Sequence, residues 1–126
     1  MLIIGENIHI IAPTVKNAIA ERDTATIQRL AKAQVDKGAD ILDLNIGPQK
    51  RSGPEVMTWM VNAVQEVTDV GLSFDTTNLA AIETGLKLAK HQAMINSTSA
   101  EPERLEKVPE VAARYSAKLI ALLMGK

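Results

Sequence analysis

The sequence predicts an α/β protein of the TIM (β/α)8 barrel class, of which this chain has the N-terminal half: about four βα units and a fifth strand. Three observations lead there. Apolar stretches of four to six residues alternate with longer amphipathic stretches, an alternation that argues for parallel βαβ units. Four of the apolar stretches end in acids or carboxamides, and in a barrel the carboxyl ends of the strands are where ligands sit. The 126 residues are about half of what a complete barrel of eight units needs, roughly 250. Residues 1–126 are therefore read as the N-terminal part of a single barrel domain.

The elements follow in order. Leu2 to Asn7 is the first strand. Asp23 is placed to cap a helix striped by Ile27, Leu30, Ala31, Gln34 and Val35 and stopped by Gly38. Ile41 to Asn45 is the second strand. Pro54 suits the first turn of a helix carrying Val56, Met57, Met60, Val61 and Val64. Leu72 to Asp75 is the third strand, and Leu79, Ile82, Leu86 and Ala89 stripe the next helix, with Asn78 as its cap. Ala93 to Asn96 is the fourth strand, and Ser97 or Ser99 is placed to cap the segment after it. Pro109 opens the main part of the following helix, because it would break one begun at Pro102. Lys118 to Leu123 is the fifth strand. A doubly wound, flavodoxin-like sheet is the alternative that five strands could complete. Neither G-x-G-x-x-G nor a P-loop is present to mark its switch point.

Composition narrows the function. A chain 46% hydrophobic and 23% charged is a soluble globular type. A net charge of −1, with one Trp, one Tyr and one Phe, offers neither an electrostatic footprint nor stacking platforms for nucleic acid, and no pull toward an anionic membrane. The absence of cysteine excludes disulfides, thiolate catalysis and iron–sulfur ligation, and two lone histidines, His9 and His91, argue against an intrinsic metal centre. The start, Met1-Leu-Ile-Ile-Gly-Glu6, is not a signal peptide, and no apolar run reaches membrane-spanning length. A cytoplasmic protein is expected.

The strand ends carry the candidate chemistry: Glu6 and Asn7, Asp43 and Asn45, Asp75, and Asn96. Asp43 and Asn45 are two apart and share a face of their strand. One such residue is ordinarily a cap or loop anchor; four strand ends in succession are harder to explain so, because buried carboxylates without partners are costly. A carboxylate accepts hydrogen bonds and an amide both donates and accepts, so Asp75 and Asn96 side by side suit a flat, nitrogen-rich heterocycle such as a pterin. Asp43 and Asp75 are candidates for a carboxylate pair. His9 is a candidate to face the site, and His91 is expected to be exposed at a helix end. Gln49-Lys50-Arg51-Ser52-Gly53 reads as a solvated loop able to meet an anionic tail or an acidic partner. No nucleophile–base arrangement is visible, so no catalytic residue is assigned.

Four stretches carry a resemblance: Met1-Leu-Ile-Ile-Gly-Glu6, Ala39-Asp-Ile-Leu-Asp43-Leu-Asn45-Ile-Gly-Pro48, Phe74-Asp75-Thr-Thr-Asn78 and Ala93-Met-Ile-Asn96-Ser-Thr98. In series, over essentially the whole chain, they resemble the pterin-binding methyltransferases, including the methyltetrahydrofolate:corrinoid/iron–sulfur protein methyltransferases of acetogens and the folate domain of methionine synthase. The resemblance implies that Glu6, Asp43, Asn45, Asp75 and Asn96 bind methyltetrahydrofolate. It also implies that the N5 methyl passes to the Co(I) of a corrinoid carried by a partner protein, iron–sulfur type included. The uncovered edges and inner face of a half-barrel lead us to expect a homodimer or an aggregation-prone species, and the lack of cysteine and of paired histidines leads us to expect no metal of its own. No corrinoid-ligating D-x-H-x-x-G occurs, in agreement with a separate corrinoid protein. The first strand departs from the family's Gly-Glu-Arg-x-Asn: here it is Gly5-Glu6-Asn7-Ile8-His9. The family's remaining pterin-binding Asp, and the Asn at the reacting nitrogen, belong to later strands. Two other readings share the fold: a half-barrel that binds pterin or assembles without catalysis, and a dihydropteroate synthase, whose opening Asn-x-Thr-x-Asp-Ser-Phe is absent.

Overall fold

The computed structural model describes residues 1–98 and 102–121. Five strands form one sheet: β1 (Ile4–His9), β2 (Ile41–Asn45), β3 (Gly71–Asp75), β4 (Met94–Thr98) and β5 (Lys118–Ala121). All neighbours are parallel and the order is β1-β2-β3-β4-β5. Right-handed crossovers that always step the same way leave every helix on one face of the sheet. A doubly wound sheet must reverse its order to cover both faces. The sequential order thus excludes the flavodoxin-like alternative and is that of a partial β/α barrel.

Helices α1 (Pro13–Glu21), α2 (Thr24–Asp36), α3 (Gly53–Val67), α4 (Leu79–Leu88) and α5 (Pro102–Arg114) form the outer layer. Their caps follow from local chemistry. The Asp23 side chain accepts from the Thr26 amide, and Gly38, at φ 102, lies just past the end of α2. Asn78 Oδ1 accepts from the Ala81 amide at the start of α4. The core lies between the layers. Leu42, Leu44, Leu72, Phe74 and Ile95 from the strands meet Ile27, Met57, Met60, Val61, Val64 and Ile82 from the helices, all buried. Gly85 lets α4 close onto β3: a Cβ there would stand 2.7 Å from the Phe74 ring.

Three expectations need correction. The first strand is Ile4–His9, not Leu2 to Asn7. Residues 1–3 precede the sheet, and an extra residue in β1 carries the strand on to His9. A helix, α1, precedes the one expected after Asp23; Pro13 opens it, and Val15, Ala18 and Ile19 are its buried stripe. The segment from Pro102 runs as one helix through Pro109. A proline there removes one backbone bond, but Pro109 is exposed while Val108, Val111 and Ala112 hold the inner face to the core. The expected cap at Ser99 and the end of the fifth strand, at Leu122 and Leu123, lie outside the described residues.

Candidate pterin site at the carboxyl rim

Parallel strands deliver their carboxyl ends to one rim, and alternate residues face away from the helices. On this inner face β2 carries Asp43 and Asn45, β3 carries Ser73 and Asp75, and β4 carries Asn96. The register pairs Asp43 with Ser73 and Asn45 with Asp75. Asp43, 1% exposed, is the centre of the group. Its Oδ1 accepts from Ser73 Oγ at 2.7 Å and from Asn96 Nδ2 at 3.1 Å. Burial is the largest influence on its proton: it raises the carboxyl, the hydrogen bond and charge of Asp75 add to it, and the Ser73 and Asn96 donors oppose it. The result is a carboxyl pushed up to about 7. Two carboxyls can hydrogen-bond only by sharing a proton. At neutral pH Asp43 therefore alternates between donor and acceptor, beside the half-buried Asp75 and Asn96.

The same rim continues onto β1. His9 pairs in register with Asn45. Its Nε2 lies 3.2 Å from Asn45 Nδ2, and its Nδ1 accepts from the Ile11 amide at 3.2 Å. Asn45 Oδ1 in turn accepts from the Gly47 amide at 3.0 Å. His9 reaches this face because β1 is bulged: three steps from Gly5 to Ile8 oppose two from Leu42 to Leu44. An extra residue shifts every later side chain to the other face. The bulge is held from α2, where the buried Gln34 accepts from the Asn7 amide at 3.0 Å through Oε1. Gly5 makes room for that side chain, since a Cβ at position 5 would lie 2.4 Å from Gln34 Oε1.

The β2–α3 loop is tied down. Thr76 Oγ1 donates to the Gly47 carbonyl, Gln49 Nε2 to Ile46 O at 2.8 Å, and Asn78 Nδ2 to Gln49 O at 2.9 Å. Asn78 thus caps α4, as its position suggests, and also tethers this loop. Lys50 and Arg51 remain exposed at the tip.

Of the residues singled out in the sequence, Asp43, Asp75 and Asn96 come together, and Asn45 joins His9 beside them. Glu6 does not join: it is exposed at the bulge and makes no hydrogen bond or ion pair with the described residues. His91 is exposed at the opposite, amino end of the sheet, 2.7 Å from Asp69. Ser73 and Gln34 are the members that sequence reasoning passed over. Ser73 could have been found from its position two before Asp75 on one strand. Gln34 was visible only as a polar residue inside an apolar stripe.

Comparison with known proteins bears on the chain as a whole. The pterin binding enzyme family matches residues 14–126. The chain is 33% identical over 106 residues to the methylcorrinoid:tetrahydrofolate methyltransferase of Eubacterium limosum, covering 84% of this chain and 39% of that protein. It is 28% identical over 132 residues to the methionine synthase of Mycobacterium leprae (strain TN), covering 100% of this chain and 11% of that protein. The chain thus spans less than half the length of these relatives. Sequential parallel strands, an acid–amide cluster at their carboxyl ends and a family match over most of the chain agree: the chain belongs to the pterin binding enzyme family.

Proposed function

We propose that this chain supplies the folate-binding part of a methyltransferase that moves a methyl group between N5 of tetrahydrofolate and the cobalt of a separate corrinoid protein. The observation that carries the reading is the cluster of Asp43, Ser73, Asp75 and Asn96 on one rim. It presents acceptors for the N–H donors of a pterin ring, and one carboxyl that holds a proton near neutrality. In the forward sense the C–N bond breaks with its electron pair left on N5, which takes up a proton, while Co(I) supplies the pair for the new bond to carbon. The tertiary amine is a poor leaving group, so orientation and stabilisation of charge at N5 are the protein's contribution. The name of the Eubacterium limosum relative runs the transfer from methylcorrinoid to tetrahydrofolate. One transition state serves both directions, and the same contacts stabilise it either way.

Titration of methyltetrahydrofolate into the full-length protein tests the reading. Asp75→Ala should weaken binding by about 1.5–3 kcal/mol, the cost of losing a charged hydrogen-bond partner, and Asn96→Ala by about 0.5–1.5 kcal/mol, the cost of losing a neutral one. Methyl transfer to a Co(I) corrinoid, followed by the cobalt spectrum, should fall with them. Unchanged affinity and turnover in both variants would remove the assignment.

A further inference from the structure

The contacts around His9 cannot all be hydrogen bonds. The Ile11 amide points at His9 Nδ1 (3.2 Å), the Gly47 amide points at Asn45 Oδ1 (3.0 Å), and between them Asn45 Nδ2 lies 3.2 Å from His9 Nε2. A neutral imidazole has one N–H and one lone pair. A main-chain N–H only donates, so Nδ1 must hold the lone pair and Nε2 the proton. By the same logic the Asn45 oxygen must face Gly47, which turns its NH2 toward the ring. Two donors then face each other. Turning the amide over moves the conflict to Gly47; moving the imidazole proton moves it to Ile11. Among the described residues, every arrangement is one acceptor short.

We propose that the missing acceptor is an oxygen of the bound ligand, a carbonyl or a carboxylate, held jointly by His9 Nε2–H and the Asn45 amide N–H. The assignment rests on the folate reading above and adds a positioning and specificity element to it. The rim is then divided. Asp43 and Asp75 take N–H donors on one side, and His9 with Asn45 give donors on the other. A ligand that carries N–H groups at one edge and an oxygen at another can satisfy both sides in only one orientation. Both side chains are half-buried at the rim, open enough to be reached from the mouth. The bulge of β1, held by Gln34 and Gly5, is what turns His9 onto this face.

The test is histidine nitrogen NMR on the full-length protein, with methyltetrahydrofolate binding measured on wild type, His9→Phe and Asn45→Leu. The free protein should show the Nε2–H tautomer of His9, and methyltetrahydrofolate should move that proton resonance downfield. Each variant should bind about tenfold more weakly, as expected for loss of one hydrogen bond. Two analogues identify the oxygen. A 4-aminopteridine lacks the ring carbonyl, and a tetrahydropterin without the aminobenzoylglutamate tail lacks the carboxylates; the one that binds wild type and variants alike lacks the oxygen in question. An Nδ1–H tautomer in the free protein, or wild-type affinity for methyltetrahydrofolate in both variants, overturns the proposal and leaves the folate reading intact. A wild-type protein that does not bind methyltetrahydrofolate overturns both.

Discussion

The central strands β2 and β3 each present two unlike faces. Toward the helices, Leu42, Leu44, Leu72 and Phe74 are buried in a continuous apolar layer. Away from them, Asp43, Asn45, Ser73 and Asp75 form a polar layer tied to β4 through Asn96. The same five-residue strands supply both, one residue apart. The outer face is satisfied by packing within the chain. The inner face is polar and less settled: a buried carboxyl keeps its proton to near neutrality, and the Asn45 amide nitrogen lies 3.2 Å from His9 Nε2. One face holds the fold together, and the other carries the polar groups of the proposed ligand site.

The largest expected effect is on the packed face. Phe74→Ala in the full-length protein should lower stability by about 3–5 kcal/mol in denaturant unfolding, because the ring is fully buried and Gly85 closes on it. A loss below about 1 kcal/mol would break the contrast. On the polar face the sign reverses. Between the ordinary value of 3.8 and about 7, folded Asp43 keeps a proton that the unfolded chain has released. Each rise in pH through that window therefore favours unfolding, and the destabilisation is complete above about 7. Asp43→Asn, a neutral copy of the protonated acid, should raise stability above pH 7 by about 2–4 kcal/mol and flatten the profile across the window. A pH profile identical to wild type would show that Asp43 is an ordinary carboxylate.

Smaller effects sharpen the boundary between the faces. Gly5→Ala should cost about 1–3 kcal/mol by crowding Gln34, and should weaken methyltetrahydrofolate binding as well, because the bulge sets the direction of His9. Loss of stability with unchanged binding would separate the bulge from the site. Lys107→Ala, which removes an exposed pair with Glu103 at 2.9 Å, should change stability by about 0.5 kcal/mol or less in the same denaturation assay.

The apolar periods made most of the packed face legible from sequence. The stripes of α2, α3 and α4 and the caps at Asp23 and Asn78 lie where residue chemistry places them, because each signal is local. Two failures had local signals that were outweighed. Pro13 with Val15, Ala18 and Ile19 announced α1, and Pro109 argued for a break that an inward apolar stripe overrode. The first strand was displaced because a bulge interrupts the period of two, and nothing in a single sequence marks which residue is extra. The polar face was legible as a set of strand ends but not as a network. That Asp43 would be its centre depends on register between strands 30 and 53 residues apart in the chain.

The bulge of β1 has a consequence for how this rim can change. A substitution there exchanges one side chain for another, whereas drawing the extra residue into a regular pleat at unchanged length would turn the remainder of the strand over. Ile8 would then face the mouth and His9 would be driven into the helix layer. The bulge and the side chain that faces the mouth are therefore coupled at this point, with Gln34 and Gly5 acting as the latch. A designer seeking a different ligand at this rim would do better to keep the bulge and vary position 9 than to graft a first strand of regular pleat.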